Sequence, residues 1–179
     1  MALVIDPGHG GSDPGAVYDG VREADLNLAI ALRLKSAFGA APIQGILTRE
    51  DDRFVALPER AEMANELGAE AFVSIHCNSS TRPEVSGFSV HHAPGAVRGM
   101  ALAQALHRAL VRGLPDPRDR GVIASSFFVL KETVMPAVLV ECEFLSHPAS
   151  RAWLKTAEAQ DRLAEAIRQG IADFLHLPV

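Results

Sequence analysis

Cysteine is scarce in this chain: Cys77 and Cys142 are the two it has among 179 residues. That excludes a disulfide framework and a C-x-x-C metal knot. One disulfide between neighbouring strand ends stays open, beside the simpler reading of two small buried thiols. Long basic runs are missing and the formal net charge is −5, so nucleic acid is not an expected partner. No apolar stretch approaches the ~20 residues that cross a bilayer, which argues against membrane insertion. The first residues read as a strand, with no basic lead and no small-residue cleavage site, so no signal peptide is expected. Internal repeats, low-complexity segments and Ser- or Pro-rich linkers are also absent. What remains is an ordinary globular composition, 48% hydrophobic and 22% charged, and a length that reads as one domain over 1–179.

Strand and helix signals alternate along the chain. Leu3-Val4-Ile5 is a short apolar strand entering a Pro- and Gly-rich loop, Pro7-Gly8-His9-Gly10-Gly11. From Leu26 to Phe38, Leu26, Ile30, Leu34 and Phe38 recur every fourth residue, which predicts a helix with one buried face that begins near Glu23 and stops at Gly39. Further strands are predicted at 44–48, 71–76, 87–92, 127–130 and 137–141. Further helices are predicted from Pro58 to about Leu67, over 100–111, near 149–154 and over 159–175. The residues 49–53 read as a charged, solvated turn, and Pro115 and Pro117 bound a loop. Interleaved strands and helices predict an α/β fold: a mixed, mostly parallel sheet of about six strands with helices on both faces.

Three of these apolar runs end in an ionisable residue: His9 just past the first strand, His76 at the third and Glu141 at the last. Parallel or mixed sheets gather such residues at their carboxyl edge. Glu23 joins them there if the first helix returns from the first strand. Each has an ordinary reading as well. His9 suits a turn, Glu23 suits a surface acid that compensates the helix dipole, and His76 suits a hydrogen-bonded core residue. Glu141 is harder to set aside, because a carboxylate closing Val138-Leu139-Val140 is costly to bury without a partner. Two histidines and a glutamate form a ligand set suited to a catalytic zinc with an open position for water. A further carboxylate beside them suits a general base.

The stretches V-I-D-P-G-H-G-G-S-D-P-G-A (4–16), R-E-A-D-L-N-L-A-I-A (22–31), L-T-R (47–49), S-I-H-C-N (74–78), D-R-G-V (119–122) and P-A-V-L-V-E (136–141) together resemble the zinc-dependent N-acetylmuramoyl-L-alanine amidases of the type 3 family. The resemblance runs in order over nearly the whole chain. It implies that His9, Glu23 and His76 bind Zn2+ and that Glu141 is the catalytic acid/base. It also implies a substrate, peptidoglycan, cut between N-acetylmuramic acid and the L-alanine of the stem peptide, and hence action on the cell wall. With no signal peptide read, such a protein either leaves the cell by another route or is a trimmed catalytic piece.

An appended wall-binding domain is not expected within 1–179, and a monomer is expected. Asn78 and Arg120 are candidates for holding substrate, Arg120 with a plain surface role as its alternative. A zinc peptidase acting within the stem peptide and a non-catalytic peptidoglycan-binding module are the competing readings.

One position departs from the resemblance. Where the family usually has Gly two residues after the catalytic Glu, this chain has Glu143. In an unbroken strand it would share a side with Glu141, as a second acid near the metal, a salt-bridged structural residue or a solvent-facing one. A structural or solvent-facing role is favoured, because adjacent like charges are unfavourable. His91 and His92 are not needed as ligands. His107 is expected at the core boundary, and His147 and His176 in structural or exposed places.

Overall fold

The computed structural model describes residues 1–39, 42–115 and 118–177. The first apolar run is strand β1 (Ala2–Pro7), buried from Leu3 onward. Strands β4 (Gln44–Leu47) and β5 (Ala71–Asn78) flank it, both parallel to it. Strand β8 (Ala137–Phe144) lies parallel beside β5, and β6 (Phe88–His92) runs antiparallel to β8. Strand β7 (Asp119–Ala124) closes the far edge parallel to β6, giving the order β4–β1–β5–β8–β6–β7. The sheet is thus mixed and mostly parallel, with six strands.

Side chains alternate across a strand, and here both faces are covered. Leu3, Ile5, Val73, Ile75, Val138 and Val140 face one apolar cluster with helices α1 (Glu23–Phe38), α3 (Val97–Gly113) and α6 (Ala157–Leu175). Val4, Phe72 and Leu139 face the other, against α2 (Leu57–Glu66) and α4 (Phe128–Glu132). Burial on both sides explains the near-continuous apolar strands. The four-residue spacings in α1, α3 and α6 lie on their buried faces, as Leu34, Leu106 and Ile167 show.

Two expectations need correction. Phe127–Leu130 is not a strand: Phe128–Glu132 forms α4, with Val129 and Leu130 buried and both phenylalanines half exposed. A four-residue apolar run does not distinguish the two states. Conversely, Asp119-Arg120-Gly121, which falls in none of the predicted strands, opens the edge strand β7, whose residues stay exposed or half-buried and show no clean alternation. Pro117 lies outside the described residues. A small hairpin, β2 (Val17–Tyr18) and β3 (Val21–Arg22), precedes α1. Its turn residues Asp19 and Gly20 both have positive φ, 49° and 74°, the backbone that favours Asp-Gly in two-residue hairpins.

Helices α3 and α6 cross at Gly170, where an added Cβ would stand 2.5 Å from the Cα of Leu106. Gly170→Val is therefore expected to destabilise the fold by about 2–3 kcal/mol, since overpacking leaves the helices no room. Urea unfolding monitored by circular dichroism measures it.

Candidate active site

The carboxyl edge of the parallel strands delivers the ionisable residues together. His9 follows β1, His76 lies near the end of β5 in register with Glu141 on β8, and Glu23 opens α1. Alternation sends Asp6, Ser74, His76 and Glu141 to the α2–α4 side of the sheet. One ligand atom each from His9, Glu23 and His76 lies within 4.8 Å of the others. Glu23 Oε1 sits 3.2 Å from His9 Nε2 and 3.0 Å from His76 Nδ1. Glu23 also accepts the Cys77 N–H at Oε1 and the Ala16 N–H at Oε2.

Glycine is required where the loop meets these rings. A Cβ on Gly8 would stand 2.2 Å from the His76 imidazole, and one on Gly15 2.6 Å from the Glu23 carboxylate. His9 itself has φ 61°, an uncommon conformation for a residue with a side chain.

A buried polar cluster holds the loop in that shape. Asp6 is 1% exposed and accepts from Arg60 (2.8 Å), Thr48 (2.6 Å) and Ser74 (2.7 Å). Arg60 also donates to the carbonyls of Pro7, His9 and Val55. Arg49, 0% exposed, donates to the carbonyls of Pro7, Gly8 and Ala24. Arg49 therefore does not belong to a solvated turn. Its buried role, like those of Asp6 and Arg60, is not visible in sequence spacing, although Thr48 and Arg49 fall inside the L-T-R motif.

Electrostatics separate the two glutamates. Burial opposes the charge on Glu23, but hydrogen bonds from His76 and His9 outweigh it and hold its pKa well below the usual carboxylate range. Burial likewise opposes a charged His9, yet Glu23 and Asp13 raise its pKa to about 9. Burial pushes Glu141 the other way, up to about 7, with the His76 charge opposing and the Glu23 charge assisting the rise. Glu141 Oε2 is buried with no hydrogen-bond partner among the described residues. Asp13 Oδ2 accepts from His9 Nδ1 at 2.8 Å, which leaves Nε2 facing Glu23. This carboxylate–imidazole arrangement orients metal-binding histidines.

These groups border a cleft of about 380 Å³, whose lining includes His9, His76 and Glu141. Asn78 and Arg120 do not line it. Asn78 ends β5 and accepts the Ser79 N–H, and Arg120 lies over the Phe144 ring, 5.2 Å from its centroid. Glu143 is structural. Between His76 and Asn78 the ladder spans Glu141 to Phe144, so β8 carries an extra residue. That bulge turns Glu143 to accept the N–H groups of Gly87 (2.8 Å) and Phe144 (2.6 Å).

His91 is buried between Ser89 and Ser125, and His92 bonds the Ala93 carbonyl. His107 is half-buried and contacts Asp119, His147 caps helix α5 (Pro148–Leu154), and His176 is exposed. Both cysteines are free and buried.

Fold and site define the class: an α/β domain with a His–Glu–His cluster that could hold a metal ion, beside a buried carboxylate. A family model described as N-acetylmuramoyl-L-alanine amidase matches residues 3–173. The chain is 34% identical to N-acetylmuramoyl-L-alanine amidase LytC of Bacillus subtilis over 96% of its own length and 35% of that protein's. It is 35% identical to the sporulation-specific amidase of the same organism, covering 99% of this chain and 69% of that one. The catalytic domain of the amidase CwlV from Bacillus (Paenibacillus) polymyxa superposes with TM-score 0.95 at 37% identity, over 99% of both chains. The chain belongs to the N-acetylmuramoyl-L-alanine amidase family. It spans about a third of LytC and about two thirds of the sporulation-specific enzyme.

If His9, Glu23 and His76 hold a metal ion, two outcomes follow for its uptake. Asp13→Ala is expected to weaken binding about 10–100-fold, because His9 loses its orienting partner; competition against a chelating dye reads it. A ligand imidazole must be neutral at the coordinating nitrogen, while metal-free His9 keeps its proton up to about pH 9. Uptake at pH 7 should therefore release a proton from His9, and affinity should climb as pH rises toward 9. Calorimetry in buffers of different ionisation enthalpy counts the protons.

Proposed function

We propose that this chain is a zinc-dependent hydrolase that cleaves the amide between N-acetylmuramic acid and L-alanine in peptidoglycan, and so acts on the cell wall. The observation that carries the reading is Glu141: a carboxylate on the cleft wall, unpartnered at Oε2, raised toward neutral pH, beside the His9–Glu23–His76 cluster. Family membership supports the bond that is cut. Two imidazoles and one carboxylate fit the donor set of a catalytic zinc, with a position left for water.

His9, Glu23 and His76 would hold the ion. When bound, zinc supplies Lewis acidity to the scissile carbonyl and lowers the pKa of a water toward ~7. Glu141 takes the proton from the attacking water. Its raised pKa suits that exchange near neutral pH, because a base works best when its pKa lies near the working pH. Glu141 then gives the proton to the alanine nitrogen, which is a poor leaving group without it. Glu23, kept ionised by its donors, cannot substitute in this proton transfer. We assign Asn78 and Arg120 to the stem-peptide side of the edge.

Glu141→Gln is expected to keep its metal and to lower hydrolysis about 10²–10⁴-fold, the usual contribution of a positioned acid/base. Metal content by mass spectrometry and clearing of cell-wall suspensions measure the two properties. Mass analysis of wild-type digests should show new L-alanine amino termini and intact glycan. Fragments that retain the muramoyl–alanine bond would instead identify a peptidase.

A further inference from the structure

The cleft is chemically one-sided. Beyond the ionisable groups its wall is apolar, and Phe54, Leu57, Phe127 and Phe128 stand 39–55% exposed along it. Large apolar side chains grouped at a cleft and left open to water mark a ligand surface. The shelf comes from two separate segments, the residues entering α2 and the start of α4, which pack together on one face of the sheet.

Charge decides what the shelf can take. Arg60 is the one Lys or Arg among the described lining residues, and it is 3% exposed and committed to Asp6 and three carbonyls. Arg53, next to Phe54 in the chain, turns to the Thr48 carbonyl and Asp51. The remaining charges on the cleft wall include the carboxylates of Asp13 and Glu141. Away from the His9–Glu23–His76 cluster, an anionic peptide arm would meet no free Lys or Arg among the described residues that line this wall. Exposed arginines lie on the other flank of the same edge, where Arg118 precedes β7 and Arg120 is its second residue.

A substrate cut at an acyl–amine junction has two arms that leave the reacting carbonyl in different directions. One arm here is an uncharged sugar ring with an apolar C–H face; the other is a peptide bearing carboxylates. Aromatic rings present a negative π face that attracts polarised C–H groups and offer large apolar area. Building on the amidase reading above, we infer that the Phe54–Leu57–Phe127–Phe128 shelf binds the muramoyl sugar ring and sets the enzyme's preference for a glycan on the acyl side.

The test uses the metal-loaded full chain and two substrates with the same tripeptide, one carrying N-acetylmuramic acid and the other a bare lactoyl group. Wild type should favour the muramoyl substrate. Phe127→Ala and Phe128→Ala should each cut that preference, measured as the ratio of kcat/KM values, by about tenfold, the scale of a lost aromatic contact. Phe128→Tyr keeps the ring and should keep the preference, which separates a binding surface from a general loss of fold. An equal fall with both substrates would assign the shelf to the peptide arm and overturn the inference, as would an unchanged ratio in the alanine variants. Failure of wild type to cleave either substrate would defeat the amidase reading itself.

Discussion

The whole edge depends on a buried ion pair, Asp6 with Arg60, at 2.8 Å and nearly inaccessible to water. Burying two charges is expensive unless both are paired and their remaining hydrogen-bonding capacity is filled. Here it is filled by the loop itself. Arg60 and the neighbouring Arg49 converge on the carbonyls of Pro7, Gly8 and His9, groups that a tight turn would otherwise leave without partners. Two planar guanidiniums thus take the place of regular secondary structure for that stretch. The strained backbone of His9 persists because its surroundings over-determine it, and its imidazole faces Glu23 as a result.

On that frame, two glutamates of the same kind acquire opposite character. Glu23 lies at a helix start, receives two backbone N–H groups and two imidazoles, and stays ionised. Glu141 lies within β8, after the buried run Ala137–Val140, and receives none of these at Oε2. Environments that push paired acids apart in pKa commonly divide their roles. One holds positive charge in place; the other is free to gain and lose a proton. The β8 bulge completes the division by turning Glu143 into a tie to Gly87, so that a third carboxylate does not crowd the pair.

The strands and the long helices were legible because their apolar spacing is also their burial pattern. His9, His76 and Glu141 were legible as ends of apolar runs, and the motifs attached roles to them and to Glu23. Arg49 and Arg60 were not, because an arginine's spacing says nothing about which carbonyls will surround it once distant segments meet. The edge strand β7 escaped because an edge need not alternate, and α4 because Phe-Phe-Val-Leu suits a strand equally well. The Asp19-Gly20 pair is a hairpin signal, but strands of two residues on either side are too short to show a period.

The pairing of β1 with β5, and of β5 with β8, joins Leu3 to Ala71 and Phe72 to Ala137. Contacts between such remote segments must overcome loop-closure entropy before they repay it, which slows folding. As the chain is synthesised, the three prospective ligands emerge well before the strand that carries Glu141. A nascent polypeptide therefore lacks Glu141, and the strand that holds it beside His76, until β8 has been translated. The cluster of ionisable groups is completed by the same strand that completes the sheet.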